Sequence, residues 1–110
     1  MKEQNKFELD QYERDALSLF IGKIVQYYFP EENEVKAFKE LRKTLTEEEL
    51  EQLSLTHDFL DDCFTYKTIK SHQLKNDIPV LKKVLKWADE HDMFGNDWNL
   101  AGVAETILNY

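Results

Sequence analysis

The stretch TEEELEQLSLTHDFLDDCFTY, residues 46–66, decides the fold class. It opens on Thr46-Glu47-Glu48-Glu49, a capping box. In such a box the threonine hydroxyl accepts from the backbone N–H three residues on, and the glutamate carboxylate reaches back to the threonine N–H. Behind the cap, Leu50, Leu53, His57, Leu60 and Phe64 recur at intervals of three and four, which places them on one helical face. The spacing predicts a helix over 47–69. Leu55, Phe59, Cys63 and Tyr66 form a second stripe roughly opposite the first, and Glu51, Asp58 and Asp62 run beside it. Two arrangements fit. Either the helix is sandwiched between two neighbours with its acids at the rim, or the second stripe is an aromatic and acidic docking face.

Working outward, the same punctuation predicts four more helices. Before the box, Glu31 to Leu45 carries Val35, Phe38, Leu41 and Leu45 on one face, with acids at its start and bases at its end. That order suits the helix dipole. Pro30 separates this segment from a first helix over about 7–28. The apolar residues of that first helix include Tyr12, Leu17, Leu19, Phe20, Ile21 and Ile24. They cover more than half the cylinder, wider than a surface helix needs, so it is expected to be central. Gln11, Arg14, Asp15, Ser18, Gly22 and Gln26 make its remaining strip, where Ser18 and Gly22 either permit a close helix crossing or simply face water. Glu13 falls inside the apolar arc and is read as lying near a frayed end. After the box, Asn76-Asp77 and Pro79 open a fourth helix, 78–93, which stops before Gly95. Asn96-Asp97 caps a fifth over 97–109, with Trp98 read as a staple preceding the helix and an exposed anchor as the alternative. Nothing reads as a strand.

The expected architecture is therefore all-α: a compact single-domain bundle of about five helices, residues 1–110, around a central N-terminal helix. Composition agrees. Among 110 residues there are only 3 Gly and 2 Pro, too few for a turn-rich β-sandwich or barrel. A hydrophobic fraction of 42% supplies a core and argues against disorder. The most apolar run, Leu17 to Phe29, contains Lys23 and is too short to span a bilayer. No apolar signal segment opens the chain, and the lone Cys63 can close no internal disulfide, which together suggest the cytoplasm.

The charge is blocked. Of a net −8, residues 44–66 hold 7 acids and no Lys or Arg, and residues 87–110 hold 5 acids and none. Between them, residues 67–86 hold 6 lysines and 1 acid. Lysines without one arginine, on an acidic chain, make a poor nucleic-acid footprint. They are read instead as dipole partners at helix ends, as a Lys86–Glu90 pair and as contacts to the acidic third helix.

Catalytic chemistry is not encoded in any motif. The three glycines are isolated, so no phosphate loop exists, and no Cys-x-x-Cys or His-Glu-x-x-His occurs. His57 and Asp61 share a helix face, but two ligands do not make a metal site. Asp61 and Asp62 beside Cys63 disfavour a reactive thiolate. No enzyme, cofactor or metal is expected. The expectation is a small acidic binding protein whose contact residues are Glu51, Leu55, Asp58, Phe59, Asp62 and Tyr66. Its partner would be a basic protein, such as a nuclease or nucleic-acid-binding enzyme, with no direct nucleic-acid or membrane binding. The profile resembles immunity proteins and nucleic-acid-mimicking inhibitors by analogy only. The rival is a helical structural or regulatory subunit that forms a homodimer through Leu55, Phe59 and Tyr66.

Overall fold

A computed structural model describes residues 6–26, 32–62 and 68–110. Its helices are α1 (Gln11–Gln26), α2 (Glu32–Thr44), α3 (Glu47–Asp61), α4 (Ile78–Glu90) and α5 (Trp98–Leu108). The protein is all-α, as its sequence predicts. α1 lies against α2, α3 and α5, and α4 lies against α3 and α5, so four helices close a ring around one core. Leu17, Ile21, Ile24, Leu53, Leu81, Leu85 and Ile107 are fully buried there. α2 covers one side. Its Phe38 meets the Phe20 ring edge-on at 5.7 Å and the Trp87 ring at 5.8 Å, bridging α1 and α4.

The capping box forms as read. Thr46 N–H donates to Glu49 Oε1 at 2.8 Å, and Glu49 N–H donates to Thr46 Oγ1 at 3.1 Å. Lys83 Nζ of α4 then reaches the same carboxylate at 3.0 Å, so the cap also ties α3 to α4. The Thr46 backbone bond and, after it, the Lys83 bond hold the Glu49 carboxyl below its ordinary value of 4.5.

α1 begins later than the expected position 7. Asp10 and Glu13 form a second capping box: Asp10 N–H donates to Glu13 Oε1 at 3.1 Å, and Glu13 N–H to Asp10 Oδ1 at 2.8 Å. Glu13 is thus a cap residue and not a misplaced acid in a frayed turn. The cap leaves Glu8–Leu9 extended as β1, which pairs antiparallel with β2 (Ile69–Lys70), Glu8 opposite Lys70 and Leu9 opposite Ile69. Leu9 and Ile69 are both fully buried. The expectation of no strand is corrected to this one short pair. It also explains why α3 ends at Asp61 and does not run to 69. Thr68, Ile69 and Lys70 alternate exposed, buried, exposed, the period of a strand. Three acids, Asp58, Asp61 and Asp62, crowd the C-terminal end of α3, where the dipole disfavours negative charge. A 3-10 turn at Ser71–Leu74 leads into α4.

The buried arc of α1 is rotated from the expected one. Arg14 and Gly22, assigned to the polar strip, are buried. Arg14 pairs with Asp15 at 3.3 Å. Tyr12 and Leu19, assigned to the apolar arc, are 70% and 56% exposed. The cause is α3, which packs on the Ser18/Gly22 side, where small side chains leave room for it.

α4 stops at Glu90, short of the expected 93. Met93 N–H donates to Ala88 O at 2.8 Å and Asp92 N–H to Asp89 O at 3.3 Å, the paired bonds of a Schellman ending. Its left-handed residue is Asp92, with φ of 53°, and Gly95 (φ 59°) serves the next turn.

An aspartate in that region is strained relative to glycine. Asp92→Gly is expected to stabilise the fold by about 0.5–1 kcal/mol, read as a raised midpoint in urea. Glu49→Gln tests the tied cap. Because the folded carboxyl titrates below 4.5, its contribution is complete above that pH and is lost as pH falls through the folded value. The stability gap between wild type and Glu49→Gln should therefore be widest near neutrality and close on acidification below 4.5.

Candidate interaction surface

Glu51, Leu55, Asp58 and Asp62 stand four, three and four residues apart, and the structure brings all four to one exposed stripe of α3. Leu55 is 55% exposed at its centre. Phe59 behaves differently: it is half-buried and packs against the core. Tyr66, with Cys63 and Phe64, lies outside the described residues. Among the described residues the second stripe is therefore not fully interior: Leu55 stands uncovered among carboxylates, with Phe59 at its edge.

The opposite side of α3 shows what fixes this face outward. Leu53, Thr56, His57 and Leu60 are buried. Thr56 Oγ1 lies 2.7 Å from Asp77 Oδ1 and 2.8 Å from Gln52 O, so one hydroxyl proton serves two acceptors. The Gln52 amide also donates to Asp77 Oδ1. Asp77 holds the N-cap position of α4, yet makes no side-chain cap bond. Its buried carboxylate instead joins α4 to α3. Sequence reading missed Thr56 and Gln52, although Thr56 sits three residues after Leu53 and four before Leu60, on the core arc.

His57 is a buried histidine with a partner, on the same face as Leu53 and Leu60. Its Nδ1 lies 3.1 Å from Gln26 Nε2 of α1. With the amide donating, Nδ1 accepts, and Asp58 Oδ1 at 3.9 Å is a neighbour and not a hydrogen-bond partner. Beside this contact an open groove of about 400 Å³ runs between α1 and α3, lined by Asp15, Ser18, Leu19, Gly22 and Gln26 on one wall and His57, Asp58 and Asp61 on the other. Among the described residues, no group of three or more His, Cys, Asp and Glu side chains is placed to hold a metal ion.

Three lysines of the segment make contacts, while Lys75 and Lys86 are exposed and the expected Lys86–Glu90 pair is not formed. Lys70 approaches Glu8 at 4.0 Å, Lys82 Nζ donates to the Tyr110 backbone oxygen at 3.3 Å, and Lys83 binds Glu49. The expected contact with the acidic third helix is thus made through Lys83. Trp98 corrects a sequence expectation. Asp97 is the cap of α5, its Oδ1 accepting from Leu100 N–H at 3.0 Å, and Trp98 follows it as the first helical residue, 89% exposed. It does not staple the helix, because a staple residue precedes the cap.

No helix among the described residues is long and apolar enough to cross a membrane. Comparison with protein-family models, with curated proteins and with solved structures returns no match.

The Asp77 cluster yields a stability test. Thr56→Val keeps the shape but removes a donor to a buried carboxylate, and should cost about 1–3 kcal/mol in a denaturant titration. Thr56→Ser, which keeps the hydroxyl, should lose clearly less.

Proposed function

We propose that this chain is a small, non-catalytic, cytoplasmic binding protein that neutralises or regulates a basic protein by docking it on the outer face of α3. The observation that carries this reading is Leu55, uncovered among Glu51, Asp58 and Asp62 on a helix without a Lys or Arg. A single-sign patch accelerates encounter with an oppositely charged partner and fixes its orientation. An uncovered apolar side chain within it supplies desolvation energy once contact is made. An immunity protein blocking a cationic nuclease and a nucleic-acid mimic occupying a phosphate-binding cleft are two forms of the same chemistry.

Self-association through this face is less well supported. Phe59 is half-buried against the core, so among the described residues Leu55 is the large apolar side chain this face leaves exposed. Two copies would also bring like charges together, which is destabilising.

Replacing both Asp58 and Asp62 by lysine should weaken binding to the purified basic partner by more than ~1.4 kcal/mol, a tenfold loss, with the thermal midpoint little changed. The partner is first recovered by tagged capture from the native cell at low salt, then titrated. Unchanged affinity in the double variant removes α3 from the interface. Light scattering separates the rival: a stable homodimer that dissociates on Leu55→Ala would favour a structural subunit.

A further inference from the structure

The least expected feature of the surface is the ridge of α1. Tyr12 and Leu19 are seven residues apart, two turns of one face, and both stand in water although a helix this apolar has every other large aliphatic side chain of its described length turned inward or half-covered. We propose that this ridge, with the groove it shares with α3, seats an amphipathic, arginine-bearing helix of the protein partner. The proposal rests on the reading of the chain as an acidic binding protein and names the shape and chemistry of what it holds.

Three observations select this occupant. The first is spacing. Tyr12 and Leu19 lie roughly 10 Å apart along the axis, the interval a partner helix presents with apolar residues at i and i+7. The second is charge. Asp58 and Asp61 of α3 face the ridge across the groove, with no Lys or Arg in the lining, while Asp15, between the two on α1, already pairs with Arg14. The flank toward α2 is different: there Lys23 pairs with Glu34 at 3.6 Å. The ridge is thus acidic on one side and neutralised on the other, which orients an amphipathic helix with its bases over α3. The third is room. Ser18 and Gly22 form a low wall, leaving space for a long side chain to lie along the groove. A guanidinium suits it better than an ammonium, because its planar fork can bond two carboxylates at once. Nucleic acid or an acidic peptide would meet the same carboxylates as repulsion.

The test is an amide-resolved NMR titration of the full chain with a synthetic helical peptide of leucine, alanine and arginine, and with its glutamate-for-arginine counterpart. The arginine peptide should perturb Tyr12, Ser18, Leu19, Gly22 and Asp61, bind more weakly as salt is raised, and outbind the glutamate peptide by at least about tenfold. A Tyr12→Ala/Leu19→Ala variant should lose about tenfold in affinity with an unchanged melt, since both side chains are exposed. Perturbations confined to Glu51, Leu55 and Asp62, or an unaffected double variant, overturn the groove while leaving the α3 docking face standing. Equal binding of both peptides, or none by either, also overturns it, and the α3 face is then judged by its own charge-reversal test. Concentration-dependent dimerisation abolished by the double variant would assign the ridge to a second copy and overturn it as well.

Discussion

The close packing of α1 on α3 is the constraint from which the rest of the surface follows. Gly22 and Ser18 allow α3 to settle on a side of α1 that is polar by composition, and Gln26 closes the contact on His57. Once α3 occupies that side, the buried arc of α1 must include Arg14 and Gly22. Tyr12 and Leu19 are then left without cover. The same contact carries Asp58 and Asp61 to the α1 side and turns Leu55 outward. Close-packed helices do not deform smoothly, so the seat of α3 on α1 fixes which residues of both helices stay outside.

Acidic residues here fall into two kinds of environment. Asp10, Glu13, Glu49 and Asp97 satisfy backbone N–H groups at helix starts, where negative charge is favourable. Asp77 is buried between two helices, and Glu34 faces Lys23. Glu51, Asp61 and Asp62, by contrast, stand exposed near the α1–α3 groove or on the outer face of α3. Lys70, Lys82 and Lys83 hold internal contacts. Lys6, Lys36, Lys39, Lys43, Lys75 and Lys86 stand exposed elsewhere, so the acidic excess is local to the α1–α3 groove, whose lining holds no Lys or Arg.

The helices were legible because their periods are long and their caps chemical: Thr46-x-x-Glu49 reads directly from the chain, and α3, α4 and α5 start within a residue of their signals. The Asp10–Glu13 box escaped because Glu13 was weighed by its place on a helical wheel and not by its distance from Asp10. The strands escaped because two residues carry no measurable alternation. On the surface, Glu51, Leu55, Asp58 and Asp62 could be placed together from spacing alone. Which side of α1 is covered could not, since a helix with apolar residues over half its circumference offers several equivalent faces. Only the position of α3 breaks that tie. Trp98 was misplaced for a smaller reason: a staple at 98 needs its cap at Asn99, whereas the cap is Asp97 and Trp98 is the first helical residue.

The β1–β2 pair carries a consequence for the order of folding. It joins Leu9 to Ile69, so it closes a loop of about 60 residues. Closing such a loop from a flexible chain costs on the order of 3–4 kcal/mol, more than two pairs of strand residues return by themselves. The pair becomes favourable only when the pocket that buries Leu9 and Ile69 already exists. Helix assembly should come first and the N-terminal strand dock last, so that the segment ahead of Asp10 is the first to leave when the protein opens.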